Sequence, residues 1–376
     1  MKKRLIIIGF LIPILFVLAF RIYVITHSTD IDPIDDTDLL LVRPDVAATN
    51  NAYQVFTNAM SLIYLPEEYD LDDYLWDVSE DVELSQEKII SLIESNSMVF
   101  AAIKDGTKRE YCFKETASQS PILVRDFMQL HIMLLIKVKV LMDTAKLNEA
   151  LDAARLSLRL GYLYEKDAEY VVDALAGITM IERSLFYIEE ITDQRHLSSD
   201  IIPKLVKQLS ELEDLRTGLE NGYKSEYSFV ANEVINQLTA VTTHKSSAMG
   251  VIQAITGKNY VFKPNATKKM LAEHWRHQIN NLNNPGSVQL QQDTHDYKLP
   301  TGSIRKILFF LKENSVGKIF ISLASLSDFS ETHKHFYATE KSASDLKTKL
   351  LLKQQTPFRI HRFSIFNKIK TIALRF

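Results

Sequence analysis

From Leu5 to Ile25 the chain reads LIIIGFLIPILFVLAFRIYVI, with Arg21 as its only charged residue. About 20 apolar residues, at ~1.5 Å rise each, cover a ~30 Å hydrocarbon core. The stretch has no polar face to turn toward water, so it is expected to leave water for lipid as a helix. Lys2, Lys3 and Arg4 flank one end, whereas the following THSTDIDPIDDTD holds no Lys or Arg. Basic flanks stay in the cytoplasm. The predicted arrangement is a single pass through a bacterial inner membrane, N-terminus cytoplasmic and bulk periplasmic. Arg21 lies one turn from the outer end, where its guanidinium can snorkel to the interface. A cleaved signal peptide is the competing reading. Its best site, Thr26-His27-Ser28, matches A-x-A poorly, and the apolar run exceeds the ~7–15 residues usual in such leaders. An uncleaved signal-anchor is therefore expected.

Beyond the anchor, helical periodicity dominates and turn-forming residues are scarce: 11 Gly and 10 Pro in 376 residues argue against a strand-rich fold. The expected fold class is all-α, an N-terminal transmembrane helix followed by stacked antiparallel helical hairpins. Residues 1–28 read as cytoplasmic tip and signal-anchor and 29–48 as an acidic linker. Residues 49–354 read as the helical extracytoplasmic domain and 355–376 as a basic amphipathic tail. Within the domain, apolar spacing predicts a helix from Asn51 to about Leu65 and another after Ser85, breaking at Asp105-Gly106. The strongest pattern lies between Pro121 and Ile191. It predicts helices over 122–144, 148–166 and 168–191, the first two forming a hairpin. Further helices are expected from a Ser199 cap to Leu215, from Gly218 to Thr239, from Lys268 to Asn280, within 303–326, and from Glu331 to Gln354. Thr356-Pro357 should stop the last one.

Charge is distributed unevenly. Residues 29–100 carry 17 acidic and two basic residues, whereas 301–376 carry 14 basic and five acidic ones. A basic arm facing anionic lipid is one reading. Pairing of acidic and basic ends, or plain solvation, is the favoured one. In the tail, Ile365, Phe366, Ile369 and Ile372 would share a helix face with Lys368 and Lys370 off it, a pattern that can lie in a membrane interface. One cysteine, Cys112, precludes an internal disulfide framework. Between Tyr111 and Phe113 it reads as a buried small hydrophobe.

Motif matches are few. Gly250-x6-Gly257-Lys258-Asn259 lacks both the spacing and the hydroxyl of a phosphate-binding loop. Ser303–Lys306 and Ser315–Lys318 fit S-x-x-K without the partner motifs that chemistry needs. In Ala272-Glu273-His274-Trp275-Arg276-His277, the pair His274/His277 is i, i+3 and Glu273/His277 is i, i+4, a spacing that permits metal ligation. It is not H-E-x-x-H, Glu273 points about 100° away from His274, and Arg276 opposes a cation. The favoured reading is a polar edge with Trp275 in the core. His333 and His335, at i, i+2, do not share a face. No cofactor or metal is therefore expected, with Glu273, His274 and His277 the only weak metal candidates; the residues give no assignment of a catalytic group, and the same three are the first candidates for an enzyme's polar site.

LNEALDAARLSLRLG resembles the second helix of a tetratricopeptide repeat, but no second copy follows at ~34 residues. The order of features is more distinctive. It comprises the KKR-flanked span, Asn50-Asn51-Ala52-Tyr53, the RDFMQLHIMLLIKVKV and LNEALDAARLSLRLG pair, Lys224-Ser225-Glu226, Pro264-Asn265-Ala266-Thr267 and Asn314-Ser315-Val316-Gly317-Lys318. In this order, over about residues 1–353, the chain resembles a group of uncharacterised bacterial membrane-anchored proteins with a helical extracytoplasmic domain and no assigned activity. That group typically ends in a Gly/Tyr-Pro-rich segment, replaced here by TPFRIHRFSIFNKIKTIALRF. The resemblance implies location and fold, not an activity. The expected function is a non-catalytic interaction or envelope-associated module. The alternative is an envelope enzyme, hydrolase-like, with a site assembled from distant helices. The expected partners are the lipid bilayer, through residues 5–25, and an envelope protein; nucleic acid is not expected.

Overall fold

Ten α-helices are described: α1 (Tyr53–Ser61), α2 (Gln86–Ser95), α3 (Ser97–Gly106), α4 (Val124–Asp143), α5 (Leu147–Lys166), α6 (Val171–Gln194), α7 (Ile201–Glu211), α8 (Arg216–Phe229), α9 (Pro264–Asn283) and α10 (Ser330–Ala373). This computed structural model describes residues 28–65, 86–114, 124–194, 201–236, 262–284 and 330–373, with isolated positions between 15 and 27 and at 239, 314 and 318; side chains beyond Lys353 fall outside the description. The fold is all-α: among the described residues the only β-type pairing is a single bridge between Asn51 and Tyr111. No described helix is long and apolar enough to cross a membrane. Most of Leu5–Ile25 lies outside the described residues, as do the Gly250–Asn259 and Ser303–Lys306 motifs and the Ser199 cap.

Two compact units divide the chain, residues 43–222 with 331–376, and residues 1–42 with 223–330. The first is organised around α4, which is apolar on nearly every side and buries Phe127, Leu130, Ile132, Met133, Leu134 and Val138. Its end is set by Ala145 at φ 58°. The Ala145 N–H bonds to Met142 O and the Lys146 N–H to Leu141 O, at 2.9 and 2.8 Å. These two bonds satisfy the last carbonyls of α4 and reverse the chain. α5 follows at once. Its stripe of Ala150, Leu151, Ala154, Leu158 and Gly161 is buried, as the 3.6-residue period requires.

α5 packs against both α4 and α6, which also touch each other. The small residues set how closely. A Cβ at Gly161 would lie 2.8 Å from Met180 Cβ, and one at Gly177 would lie 2.6 Å from Glu165 Cα. At the entry to α6, the Asp173 carboxylate accepts the Tyr170 N–H at 2.9 Å, the reach-back half of a capping box. α1, α2 and α3 also pack on α4, with Phe56 edge-on to Phe127 at 5.8 Å.

Three local expectations change. The helix after Ser85 is interrupted at Asn96, whose amide exchanges two 2.8 Å bonds with the Tyr64 backbone. A side chain engaged with a distant backbone competes with local helix. The helix expected over Lys268–Asn280, with Pro264–Thr267 read as its entry, takes that entry as its first turn and begins at Pro264, since a proline at the first position has no N–H to leave unsatisfied. Finally, the helix expected to stop at Thr356-Pro357 runs on to Ala373. An internal proline costs about 3 kcal/mol, and a helix of 44 residues has enough intact turns on both sides to absorb one lost bond.

In the second unit, a 3₁₀ turn at Thr37–Leu39 contacts α9. α8 continues through a π turn at Val230–Val234. Tyr223 and Trp275 pack together at 5.2 Å.

Candidate functional site

The chemistry-bearing side chains of the first unit collect where α5 meets its neighbours. Midway along α5, Ser157 Oγ lies 2.8 Å from His131 Nδ1 on α4, and Ser184 Oγ on α6 donates to Ser157 Oγ at 3.0 Å. The distances suit an activated nucleophile. The surroundings do not. All three side chains are fully buried, and among the described residues His131 Nε2 has no hydrogen-bond partner. The charge acting on His131 is Arg183, and burial together with that cation pushes the imidazole down to about 3. In a working triad a carboxylate orients the ring and raises its basicity; here a cation lowers it. The network ties three helices into one register.

The second cluster surrounds the turn between α5 and α6. Arg43 Nη2 donates to the carbonyls of Asp167 and Ala168, both at 2.9 Å, and its guanidinium lies 5.2 Å from the Phe113 ring centre. Asp167 accepts the Cys112 N–H at 2.6 Å, and Tyr164 O–H donates to Asp173 at 2.7 Å. Burial raises the carboxyls of Asp167 and Asp173 above the usual range. Burial and the Asp167 charge push the Cys112 thiol well up, so sulfur stays protonated and a poor nucleophile. Glu165 is 1 % exposed, and burial raises its carboxyl well above 4.5. Its Oε1 has no hydrogen-bond partner among the described residues. A Cβ at Gly218 would overlap the Glu165 main chain, so glycine is needed for this close approach. The arrangement holds the α5–α6 corner to the segment around Cys112.

The sequence candidates fall elsewhere. On α9, Glu273 and His277 are exposed, and His277 Nε2 pairs with Asn281 Nδ2 at 3.0 Å. His274 is half-buried edge-on to Trp275, its pKa lowered first by burial and then by His277. Trp275 is buried, and Arg276 turns to Asp38. Among the described residues no group of three His, Cys, Asp or Glu could hold a metal. On α10, His333 is buried while His335 Nε2 lies 3.4 Å from Glu182 Oε2, so they diverge. Sequence reasoning missed both clusters of the first unit. One signal was available: His131 stands alone among apolar residues on α4, where a buried imidazole needs a partner. Its partners are 26 residues or more away, beyond any local spacing.

No family model, curated protein or solved structure matches this chain.

Proposed function

We propose that this chain is a single-pass protein of the bacterial inner membrane whose periplasmic helical domain is a non-catalytic interaction or envelope-associated module. The anchor is read from Leu5–Ile25 and its Lys2-Lys3-Arg4 flank. The domain from 49 to 354 is read as stacked antiparallel hairpins, a reading supported by contacts that step in opposite directions along α5 and α6: Tyr164 with Asp173, then Ser157 with Ser184.

The observation that carries the non-catalytic reading is the closure of the reactive groups. Ser157, His131, Ser184, Cys112 and Glu165 are all buried within helix packing, whereas a general base or nucleophile must reach its substrate. What faces solvent on α6 includes Phe186, 64 % exposed, and Val172. Aromatic and aliphatic side chains of this kind form the centre of protein contacts.

The test is a pull-down of the full chain from detergent-solubilised membranes. A stoichiometric envelope partner, lost on Phe186→Ser, supports the module. Hydrolase turnover that disappears on His277→Ala, with no partner recovered, overturns it. Protease added to spheroplasts checks the orientation. The bulk beyond Ser28 should be digested, and survival until lysis would place it on the other side.

A further inference from the structure

We infer that residues 29–42 form an electrostatic latch on α9, a strap held by charge rather than burial, which can leave the helix without unfolding it. The contacts run along one face of α9 in chain order. At its start Lys263 supplies no side-chain cap. Asp30 does so from the strap, its Oδ2 accepting the Asn265 N–H at 2.7 Å and its Oδ1 the Ala266 N–H at 3.1 Å. Lys263 Nζ donates to Thr29 O at 2.8 Å, and Asn265 Nδ2 to Ile31 O at 2.9 Å. Next along the helix, Lys268 Nζ lies 2.8 Å from Asp36 Oδ2, which also accepts Tyr227 O–H at 2.5 Å. Two turns further, Arg276 forks onto Asp38 at 2.6 and 2.8 Å and donates to Asp35 O at 2.9 Å.

Burial contributes little by comparison. Leu39 is the one buried apolar side chain of the strap, at 1 % exposure, while Val42 is 83 % exposed and Ile31 and Leu40 are also open. Ion pairs as accessible as Arg276–Asp38 are individually weak and screened by salt. Several in series, with a helix cap, hold a strap in place yet let it go locally, at far less cost than global unfolding. A freed strap is a tether: residues 29–42, at about 3.3–3.6 Å each, reach at most ~50 Å.

Pulsed electron resonance on the full chain in detergent micelles tests this. Spin labels go on Asp32→Cys and Glu273→Cys, both exposed; Cys112 is buried and serves as the unlabelled background. Wild type at low salt should give one short distance. The combined Asp30→Ala, Asp36→Asn and Asp38→Asn variant should shift the docked-to-free ratio toward the free strap by on the order of 30-fold, with the helical circular dichroism signal retained. Raising salt to about 1 M should move wild type the same way. A short distance persisting in the triple variant, or at high salt, overturns the latch. So does release that coincides with loss of helical signal, because the strap would then be an integral part of the fold.

Discussion

Gly177→Ala sets two physical effects against each other with opposite signs. Alanine is favoured over glycine in a helix interior by about 1 kcal/mol, so propensity alone calls for a more stable protein. The tertiary structure calls for the reverse. The new methyl would sit 2.5 Å from Glu165 Cβ, 2.6 Å from its Cα and 2.7 Å from its N, where carbon contacts relax at about 3.5–4.0 Å. Two of these atoms are main chain of α5, so no rotamer change clears them. α5 and α6 must part by roughly 1 Å to restore ordinary contact distances. That separation stretches the Ser184–Ser157 and Tyr164–Asp173 bonds, now 3.0 and 2.7 Å. Overpacking costs about 1–3 kcal/mol, and a weakened buried hydrogen bond adds about 1 kcal/mol. After the propensity gain, a net loss of about 2 kcal/mol remains, which lowers the melting temperature by roughly 4–8 °C for a domain of this size. Thermal melting of the full chain in detergent, followed by far-ultraviolet circular dichroism, reads it directly. An unchanged or raised midpoint for Gly177→Ala would refute the argument, because propensity would then have outweighed packing.

Ala145→Gly should do the opposite and stabilise by about 1 kcal/mol, since a Cβ at φ 58° is disfavoured and glycine is not; a destabilised variant in urea titration would mean that the α4–α5 turn is not strained there. The pH dependence of stability should show two opposed contributions. His131 is held at about 3 in the fold against an ordinary 6.5, so its contribution is full above 6.5 and drains as pH falls, by up to 1.36 kcal/mol per unit. His131→Asn should flatten that acid limb. Glu165 is raised above its ordinary 4.5, so its contribution is full below that value and is lost as pH rises. The advantage of Glu165→Gln should therefore grow with pH in chemical-denaturation series. A gain independent of pH, or an acid limb that survives His131→Asn, would contradict these assignments.

What the residues reveal unaided is local order. The helices between Val124 and Gln194 were legible to within three residues at each end, because apolar spacing and helix ends act over three or four positions. The buried stripe Ala150–Gly161 follows from the same period. Charge composition was legible too, but the partners were not. The acidic strap meets Lys268 and Arg276, and Lys347, Lys349 and Lys353 meet Glu213, Glu189 and Asp193. Which polar groups meet depends on how the helices pack. His131 and Ser157 are 26 residues apart, Arg43 and Asp167 124, Arg276 and Asp38 238. Such pairs are chosen by which helices pack and how closely, and at Gly177 and Gly218 that closeness depends on the absence of a side chain. Periodicity describes a helix one turn at a time, whereas a partner across the core is set by every helix at once.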